Sequence, residues 1–203
     1  MTDQKRPYRM KRRAELEERT RLRITESAVE LHERVGPAQT SISAIAERAG
    51  VRRSTVYRHF PDERALFMAC TSHWFAAHTP PDIAAWAAIE DPDERLGRAL
   101  ADLYGYYRST GQMLDRSLRD ASVSSLVDEM LEGYRAYLAA AADALIEGRP
   151  EGGRARRRAR AAIGHALAFP TWQSLTADQG LDDAEAAELM CRLVANAPSA
   201  ITP

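Results

Sequence analysis

Apolar residues recur at helical spacing along almost the whole chain, and no stretch shows the alternating pattern of strands joined by a hairpin. The first helix is predicted to run from about Glu15 or Thr20 to Arg34, with a stop at Gly36-Pro37. Its inward positions are expected to be Ile24, Ala28, Leu31 and Val35. The pattern therefore predicts an all-α protein.

Residues 40–67 have the pattern of a helix-turn-helix. Ser41 stands at an N-cap position, and Gly50 follows the last apolar-periodic residue, where a left-handed conformation ends a helix at little cost. The second short helix would be anchored by Val56 and Phe60. The apolar face of the first helix consists of Ile42, Ile45, Ala46 and Ala49. In this arrangement a second helix can enter the major groove of DNA.

The second of these helices concentrates hydrogen-bond donors and carries no acidic residue. Its donors are Arg52, Arg53, Ser54, Thr55, Tyr57, Arg58 and His59. Plain helix packing is the alternative, because two amphipathic helices with a glycine between them are common in helical proteins. A merely solvated face usually mixes both signs of charge, so the composition favours DNA binding.

The residues around this motif are similar to one known family. The similarity is carried by Thr20 to Ile24, Ala28 to Leu31, Gly36, Thr40 to Ile42, Ile45 to Val51 and Ser54 to Pro61. Over roughly residues 18–70 the chain resembles the N-terminal domain of TetR-type transcriptional regulators. A weaker resemblance, in residues 104–120 and 169–194, is to the ligand and dimer region of actinobacterial members.

This resemblance implies a two-part organisation. We expect a basic arm at 1–17, a helix-turn-helix three-helix DNA-binding domain at 18–66, and a helical ligand-binding and dimerisation domain at 67–203. The implied function is a ligand-released repressor that binds a near-palindromic operator as a homodimer. The last two long helices would form the dimer interface, where small side chains permit close packing: Ala162, Ala166, Ala184 and Ala187. The alternative is a helical small-molecule binding protein whose head no longer recognises an operator.

Roles for the DNA-facing residues follow in part from the resemblance. It implies that Thr55, Tyr57 and His59 contact phosphates or the groove wall. Arg53 and Arg58 are the candidates for reading bases, because a guanidinium can pair bidentately with guanine O6 and N7. The remaining candidates, Ser43 and Ser54, lie close enough to assist.

One position departs from the family pattern. Family members often place a lysine after the cap of the fourth helix, where it supports a phosphate. This chain has Glu63 there and Arg64 next. Either Arg64 takes over the contact, or the contact is absent and the basic arm compensates.

The formal net charge of −1 conceals an asymmetry along the chain. Residues 1–66 hold 15 Lys+Arg against 10 Asp+Glu, and the remainder holds 13 against 19. A basic head on an acidic body is typical of a phosphate-binding module joined to another domain. The basic arm has little apolar content and is expected to be disordered in the free protein. It would either follow the phosphates or enter the minor groove beside the recognition helix, or it would be a solubilising extension.

Start and stop signals divide the body into helices. Capping residues predict starts at Asp62, at Asp91-Pro92 and at Asp182 with Glu185. Gly111 is expected to break one helix, a long helix should run from about Ser125 to Ile146, and Pro170 should kink the following one. The last helix is expected to bury Ala184, Ala187, Met190, Leu193 and Val194. The basic run Arg154–Arg160 is interpreted as a solvated helix start beside acidic neighbours, although a second nucleic-acid contact is the alternative.

Aromatic residues set among aliphatic ones mark a candidate ligand pocket in the body. Their default interpretation is helical core, and the family resemblance implies a cavity between the middle helices. The candidate lining is Trp86, Tyr104, Tyr107, Met113, Tyr134, His165, Phe169 and Trp172. Such walls suit a small, mostly apolar and uncharged ligand. His165 alone is more often a satisfied helix histidine than a specificity group.

Other function classes find no support in the sequence. It contains no glycine-rich phosphate loop, nucleophile elbow or HExxH, so we expect no enzyme and no cofactor. His73 and His78 are five residues apart and diverge on a helix, which argues against a metal pair. The two cysteines, Cys70 and Cys191, are interpreted as small buried hydrophobes. With no apolar run long enough for a bilayer, a soluble cytoplasmic protein without a membrane partner is expected.

Overall fold

The structure, a computed structural model, describes residues 5–197, with side chains from Met10 onward. These residues form α-helices and short helical turns, and none of them forms a strand. The α-helices are α1 Lys5–Val35, α2 Ile42–Arg48, α3 Arg53–His59, α4 Glu63–Ala77, α5 Ile83–Ala87, α6 Pro92–Ala121, α7 Ser125–Met130, α8 Glu132–Ile146, α9 Gly153–Leu167, α10 Phe169–Gln173 and α11 Asp183–Asn196. A 3₁₀ turn covers Pro37–Gln39 and a π-helical turn covers Ser174–Asp178. The predicted all-α class is confirmed.

The helices form two compact units. The first runs through His78 and also includes Asp115–Met130, whereas the second contains Thr79–Leu114 and the residues from Leu131 onward. Helix α6 therefore belongs to the second unit over most of its length and to the first unit in its last turns. The sequence-based boundary at residue 66 does not coincide with this division, because α4, the end of α6 and α7 pack with the head.

The first unit is built around one apolar cluster. Helix α1 contributes Ile24, Ala28 and Leu31, which are buried as predicted, while Val35 is only half-buried. The other helices contribute Ile42, Ile45, Ala46, Ala49, Val56, Phe60, Leu66 and Cys70. Each short helix of the motif thus buries its apolar side and is stabilised by packing, since helices of seven residues are not stable alone.

Local signals in the head act as the sequence predicts. The Ser41 hydroxyl accepts a hydrogen bond from the Ala44 amide at 3.1 Å and caps α2. Gly50 has a φ of 62°, the left-handed conformation that ends this helix. The Asp62 carboxylate accepts from the Ala65 amide at 2.7 Å and caps α4. These contacts fix the ends of the motif.

A polar junction in the first unit joins the turn after α1 to the last turn of α6. The Ala38 amide donates to the buried Asp120 carboxylate at 2.9 Å. The Arg119 guanidinium donates to the Val35 carbonyl oxygen at 2.9 Å and pairs with Asp120. Gly36 lies at the centre of this junction with a φ of 100°. The junction therefore needs a residue without a Cβ at this turn.

Two helices of the second unit, α6 and α11, have capped N-termini. Asp91 accepts hydrogen bonds from the amides of Asp93 and Glu94, each at 2.8 Å, and these bonds lower the pKa of the Asp91 carboxyl. Asp182 and Glu185 form the predicted capping box at the start of α11.

Arg95 is buried and donates to backbone carbonyl oxygens, including that of Glu147 at 2.8 Å. These main-chain acceptors compensate the buried positive charge of the Arg95 guanidinium.

Three predicted helix boundaries in the body are wrong. Helix α6 continues through Gly111, which therefore does not break the helix, and an added Cβ there would make ordinary contacts with Trp172 at 3.4 Å and Phe169 at 3.5 Å. The predicted helix from Ser125 to Ile146 is interrupted at Leu131, where ψ is −5°. Pro170 does not kink a helix, because α9 ends at Leu167 and Pro170 lies in the first turn of α10, where a missing amide is tolerated.

The N-terminal arm and the last helix also differ from expectation. Helix α1 begins at Lys5, so residues 5–17 of the predicted disordered arm are helical, and residues 1–4 lie outside the described residues. The physical reason is a run of good helix formers supported by an ion pair between Arg13 and Glu17. In α11, Ala187, Met190 and Val194 are buried as predicted, whereas Ala184 and Leu193 are exposed because they flank the buried stripe on its two sides.

Replacing Gly36 by alanine should destabilise the first unit. An added Cβ would lie 2.3 Å from both Asp120 Oδ2 and Arg119 Nη2, and a φ of 100° is unfavourable for alanine. We expect a loss of about 2 kcal/mol or more in the free energy of unfolding, measured by urea titration followed by circular dichroism. Gly97→Ala is the control, because no atom lies within 4 Å of its added Cβ and α6 should gain up to about 1 kcal/mol. Equal stabilities for the two variants would contradict this account of the junction.

The buried His32 should make stability depend on pH. Burial lowers the pKa of His32 from 6.5 to about 4, and the Asp120 carboxylate only partly opposes this shift. Between these values the unfolded chain binds the proton and the folded chain does not, so stability is fully present above pH 6.5 and declines as the pH falls towards 4. His32 should account for up to about 3 kcal/mol of this decline.

The measurement is the free energy of urea unfolding at several values between pH 4 and 7. His32→Gln should flatten the dependence relative to the wild type, whatever its effect on absolute stability. His165→Gln removes an exposed imidazole and should leave the slope unchanged. A wild-type slope in the His32 variant would show that other groups cause the dependence.

Candidate nucleic-acid interface

The donor-bearing side chains of α3 lie on the solvent side of this helix. Val56 and Phe60, each 1% exposed, fix its inner side against the head core. Of the predicted DNA-facing residues, Arg53, Ser54, Tyr57 and Arg58 are exposed, and Thr55 and His59 are half-buried. Ser43 is exposed on the preceding helix α2. The structure therefore brings most of the predicted contacts onto one accessible helix.

Arg53 and Tyr57 form a pair one helical turn apart. The Arg53 Nη2 donates to the Tyr57 hydroxyl at 3.2 Å, and the guanidinium carbon lies 5.6 Å from the centroid of the tyrosine ring. This hydrogen bond raises the pKa of Arg53, which stays cationic. The tyrosine thus restricts the conformations of the arginine and leaves its remaining donors available for a base edge.

His59 is placed differently from the other candidates. Burial and then the nearby Arg58 and Arg21 charges lower the pKa of its imidazole, so the ring is neutral at pH 7. Its Nε2 is buried and has no hydrogen-bond partner among the described residues. A neutral ring can offer one hydrogen bond to a phosphate but no charge.

Arg21 was not among the sequence-predicted site residues, although it positions α3. Its Nη1 donates to the His59 carbonyl oxygen at 2.7 Å, and its guanidinium carbon lies 4.2 Å from the centroid of the Phe60 ring. A cation at a helix C-terminus also interacts favourably with the helix dipole. Residue spacing alone could not reveal this contact, since the two residues are 38 positions apart.

Arg64 is paired within the first unit. Its Nη1 donates to Glu129 Oε1 at 2.7 Å, and its Nη2 contacts Glu129 Oε2. This pair raises the pKa of Arg64 and lowers the pKa of the Glu129 carboxyl. The neighbouring Glu63 is exposed. Whether Arg64 replaces the lysine of the family pattern at a phosphate stays a prediction.

In the second unit, five of the eight candidate pocket residues come together: Tyr104, Tyr107, Tyr134, Phe169 and Trp172. The Tyr107 hydroxyl donates to the Leu167 carbonyl oxygen at 2.6 Å and lies 3.1 Å from the Tyr134 hydroxyl. The centroid of the Tyr107 ring is 5.3 Å from that of Phe169 and 5.8 Å from that of Trp172. Burial raises the pKa of both Tyr104 and Tyr107, so both phenols stay neutral.

The other pocket candidates lie apart from the main contacts of this aromatic cluster. Trp86 is buried and donates to the Asp102 carboxylate at 3.0 Å. Met113 is half-buried, whereas His165 is exposed, with its Nδ1 3.3 Å from the Thr171 hydroxyl. The contact with Thr171 agrees with the interpretation of His165 as a satisfied helix histidine. A role of the eight residues in ligand binding stays a prediction.

The second basic run has acidic partners. Arg160 pairs with Asp143 at 2.6 Å, and Arg156 pairs with Glu147 at 2.9 Å. These contacts support the interpretation of the run as a solvated helix start. Among the residues that the structure describes, no group of three or more His, Cys, Asp or Glu side chains could hold a metal ion. None of the described helices combines the length and apolar character needed to span a membrane.

Comparison with known proteins gives a domain match and a fold match. The family described as bacterial regulatory proteins, tetR family, matches residues 24–70. A search of curated proteins gives no significant match.

Solved structures of transcriptional regulators share the fold of nearly the whole chain. A TetR-like regulator from a Rhodococcus species is 20% identical, with a TM-score of 0.63 and coverage of 87% of this chain and 94% of that chain. A tetR-family regulator from Streptomyces coelicolor is 22% identical, with a TM-score of 0.56 and coverage of 87% and 78%. The regulator FadR from Bacillus subtilis, solved in complex with stearoyl-CoA, is 19% identical, with a TM-score of 0.54 and coverage of 89% and 99%.

At these identities the solved structures establish the fold, and the domain match covers the helix-turn-helix. The domain match confirms the resemblance found in the sequence over the helix-turn-helix, and the solved structures confirm the helical fold. The matched domain is that of regulatory proteins, in agreement with the expectation of a regulator and not an enzyme. Residues 24–70 thus form a helix-turn-helix domain of the tetR family of bacterial regulatory proteins, and the chain as a whole shares the fold of solved TetR-like regulators.

Proposed function

We propose that this protein is a ligand-released repressor that binds a near-palindromic operator as a homodimer. The observation that carries the proposal is the exposed face of α3, which offers arginine, serine, threonine and tyrosine donors and no carboxylate. DNA phosphates and base edges in the major groove are the surfaces that such a face complements. Arg53 and Arg58 would read bases, while Thr55, Tyr57 and His59 would hold the helix in register.

The proposal of a homodimer is supported by apolar side chains on α11. Leu189 and Leu193 are 44% and 43% exposed and lie one helical turn apart. Exposed apolar residues at helical spacing are typical of a helix–helix interface between subunits. A twofold dimer would present two copies of α3 to successive major-groove faces.

The proposed ligand is a small, mostly apolar molecule bound near the aromatic cluster. The rings of Tyr107, Phe169 and Trp172 supply flat apolar surface, and the tyrosine hydroxyls supply a few polar groups. The structure of FadR from Bacillus subtilis, which has a similar fold, was solved in complex with stearoyl-CoA, a ligand with a long apolar chain. We therefore favour a ligand with an extended apolar portion.

Two helices provide routes by which a ligand could affect the head. Helix α4 follows the helix-turn-helix directly, and a ligand-preferred conformation could hold the two heads at a spacing that does not fit DNA. Helix α6 carries Tyr104 and Tyr107 in the second unit and Arg119 and Asp120 in the first. The effect on DNA affinity is limited by the ligand's differential affinity for the two conformations, typically about 1–3 kcal/mol.

Substitution of the base-reading arginines tests the role of α3. With operator fragments from the DNA upstream of the gene, Arg53→Ala and Arg58→Ala should each weaken specific binding by roughly 1–3 kcal/mol and relax specificity at one base pair. Thr55→Ala should weaken binding to operator and to unrelated duplex alike. The measurement is fluorescence anisotropy at physiological salt, repeated with operators that carry single base changes.

Arg157→Ala is the matched control, because it removes one exposed arginine from the second basic run. It should leave operator affinity unchanged. Wild-type binding no tighter to the operator than to unrelated DNA would contradict the repressor proposal and favour a small-molecule binding protein whose head does not recognise an operator.

A charge on the exposed apolar side of α11 tests the proposed dimer. Leu193→Glu should convert the dimer to a monomer, because the introduced carboxylate would have to be buried without a partner. The mass in solution is measured by light scattering after gel filtration. Val123→Glu is the control, since Val123 is 78% exposed and lies in the first unit, and it should leave the mass unchanged. A wild-type monomer, or a dimer that survives in Leu193→Glu, would contradict the proposed interface.

A further inference from the structure

The ion pair between Arg64 and Glu129 joins the start of α4 to the end of α7. Arg64 is the second residue of α4, after the Asp62 cap, and α4 begins four residues after the last residue of α3. Glu129 lies in the last turn of α7, and both residues belong to the first unit. Both amino groups of the guanidinium face the two oxygens of one carboxylate. Arg64 is thus held by an internal anion beside the candidate DNA-facing helix.

We propose that Glu129 competes with the DNA backbone for Arg64, so that an end-on phosphate contact by Arg64 requires this internal pair to open. The inference rests on the proposed function, because it concerns the phosphate contact that Arg64 would make. A phosphate and a carboxylate use the same bidentate pair of guanidinium donors. When Glu129 occupies both terminal amino groups, the end-on fork of Arg64 is closed to a phosphate, and only the side-on fork of Nε with one amino group stays open.

The electrostatic setting of Arg64 makes the competition effective. A cation near a helix N-terminus lies close to the positive end of the helix dipole, so Arg64 gains from a neighbouring anion. The pair with Glu129 raises the pKa of Arg64 and lowers the pKa of Glu129, and both groups stay charged near neutral pH. Glu129 also places a negative charge where a phosphate would approach, and this charge repels the DNA even after the pair opens.

The exposure of the pair keeps the exchange reversible. The side chains of Arg64 and Glu129 are 54% and 43% exposed, so water can solvate each group when the contact breaks. Exposed ion pairs contribute little to stability. Glu129 therefore lowers DNA affinity by a modest factor and does not block binding. Because α7 follows α6 in the chain, a displacement of α7 that carries Glu129 away would free Arg64 for the phosphate.

The test uses the full-length protein and compares Glu129→Gln with the wild type. The substitution keeps the size of the side chain and removes its charge. We expect binding to the operator fragment to tighten roughly threefold to fivefold. The plot of log affinity against log salt concentration should steepen by about one, because Arg64 would then neutralise a phosphate without an opposing carboxylate. Glu132→Gln, which removes an exposed carboxylate from the first turn of α8, should change neither quantity.

Further variants separate competition from a structural role. Glu129→Asp retains the charge and should keep the wild-type salt dependence. In an Arg64→Gln background, Glu129→Gln should no longer tighten binding, because the competing group has lost its target. Unchanged or weaker binding by a folded Glu129→Gln would overturn the proposal, since it would mean that the pair is neutral or positions Arg64 for DNA. If Glu129→Gln does not fold, Glu129→Ala, which also removes the charge, gives the same comparison in the Arg64 and Arg64→Gln backgrounds, and equal effects in both would contradict competition.

Each titration is repeated with an unrelated duplex of the same length. A phosphate contact does not depend on sequence, so the gain in affinity and the steeper slope should appear on both DNAs. Loss of operator specificity in the wild type would contradict the proposed function, while the comparison on the unrelated duplex would still decide whether Glu129 opposes Arg64.

Discussion

The burial of Val56 and Phe60 is the interaction on which the candidate DNA-binding surface depends. A helix of only seven residues has too few internal hydrogen bonds to persist by itself, so α3 exists because its inner side is packed. Each of these side chains contributes roughly 1.5–3 kcal/mol when fully buried. Arg21 adds a hydrogen bond at the C-terminus of the same helix. Packing and capping on one side leave the polar side of α3 exposed and oriented.

Other short elements of the first unit are also held in place by contacts with neighbouring helices. The turn at Gly36 is joined to the end of α6 through Asp120 and Arg119, and the start of α4 is joined to α7 through Arg64 and Glu129. Charged groups make both connections, and the two differ in exposure. Asp120 is buried and is part of a fixed junction, whereas the Arg64–Glu129 pair is accessible to water and can exchange partners.

The sequence predicted the head better than the body. Ser41, Gly50 and Asp62 act within four residues of their own positions, and such local chemistry can be read directly from a sequence. The prediction of a break at Gly111 was wrong because α6 packs there against Trp172 and Phe169, and local helix propensity does not include such distant neighbours. The exposure of Leu193 was missed because helical spacing identifies an apolar position without stating which neighbour covers it. The roles of Arg21 and Glu129 could not be predicted from the sequence, because their partners, His59 and Arg64, are distant in the chain.

The proposed reading of guanine edges by α3 is tested most directly by protection of guanine N7 from methylation by dimethyl sulfate. The protein bound to DNA from upstream of its own gene should protect guanines in two related half-sites whose centres are separated by about one helical turn or a multiple of it. The protection at individual guanines should disappear in Arg53→Ala or Arg58→Ala. A bound complex without protected guanine N7 atoms, or with protection that both arginine variants retain, would contradict the claim.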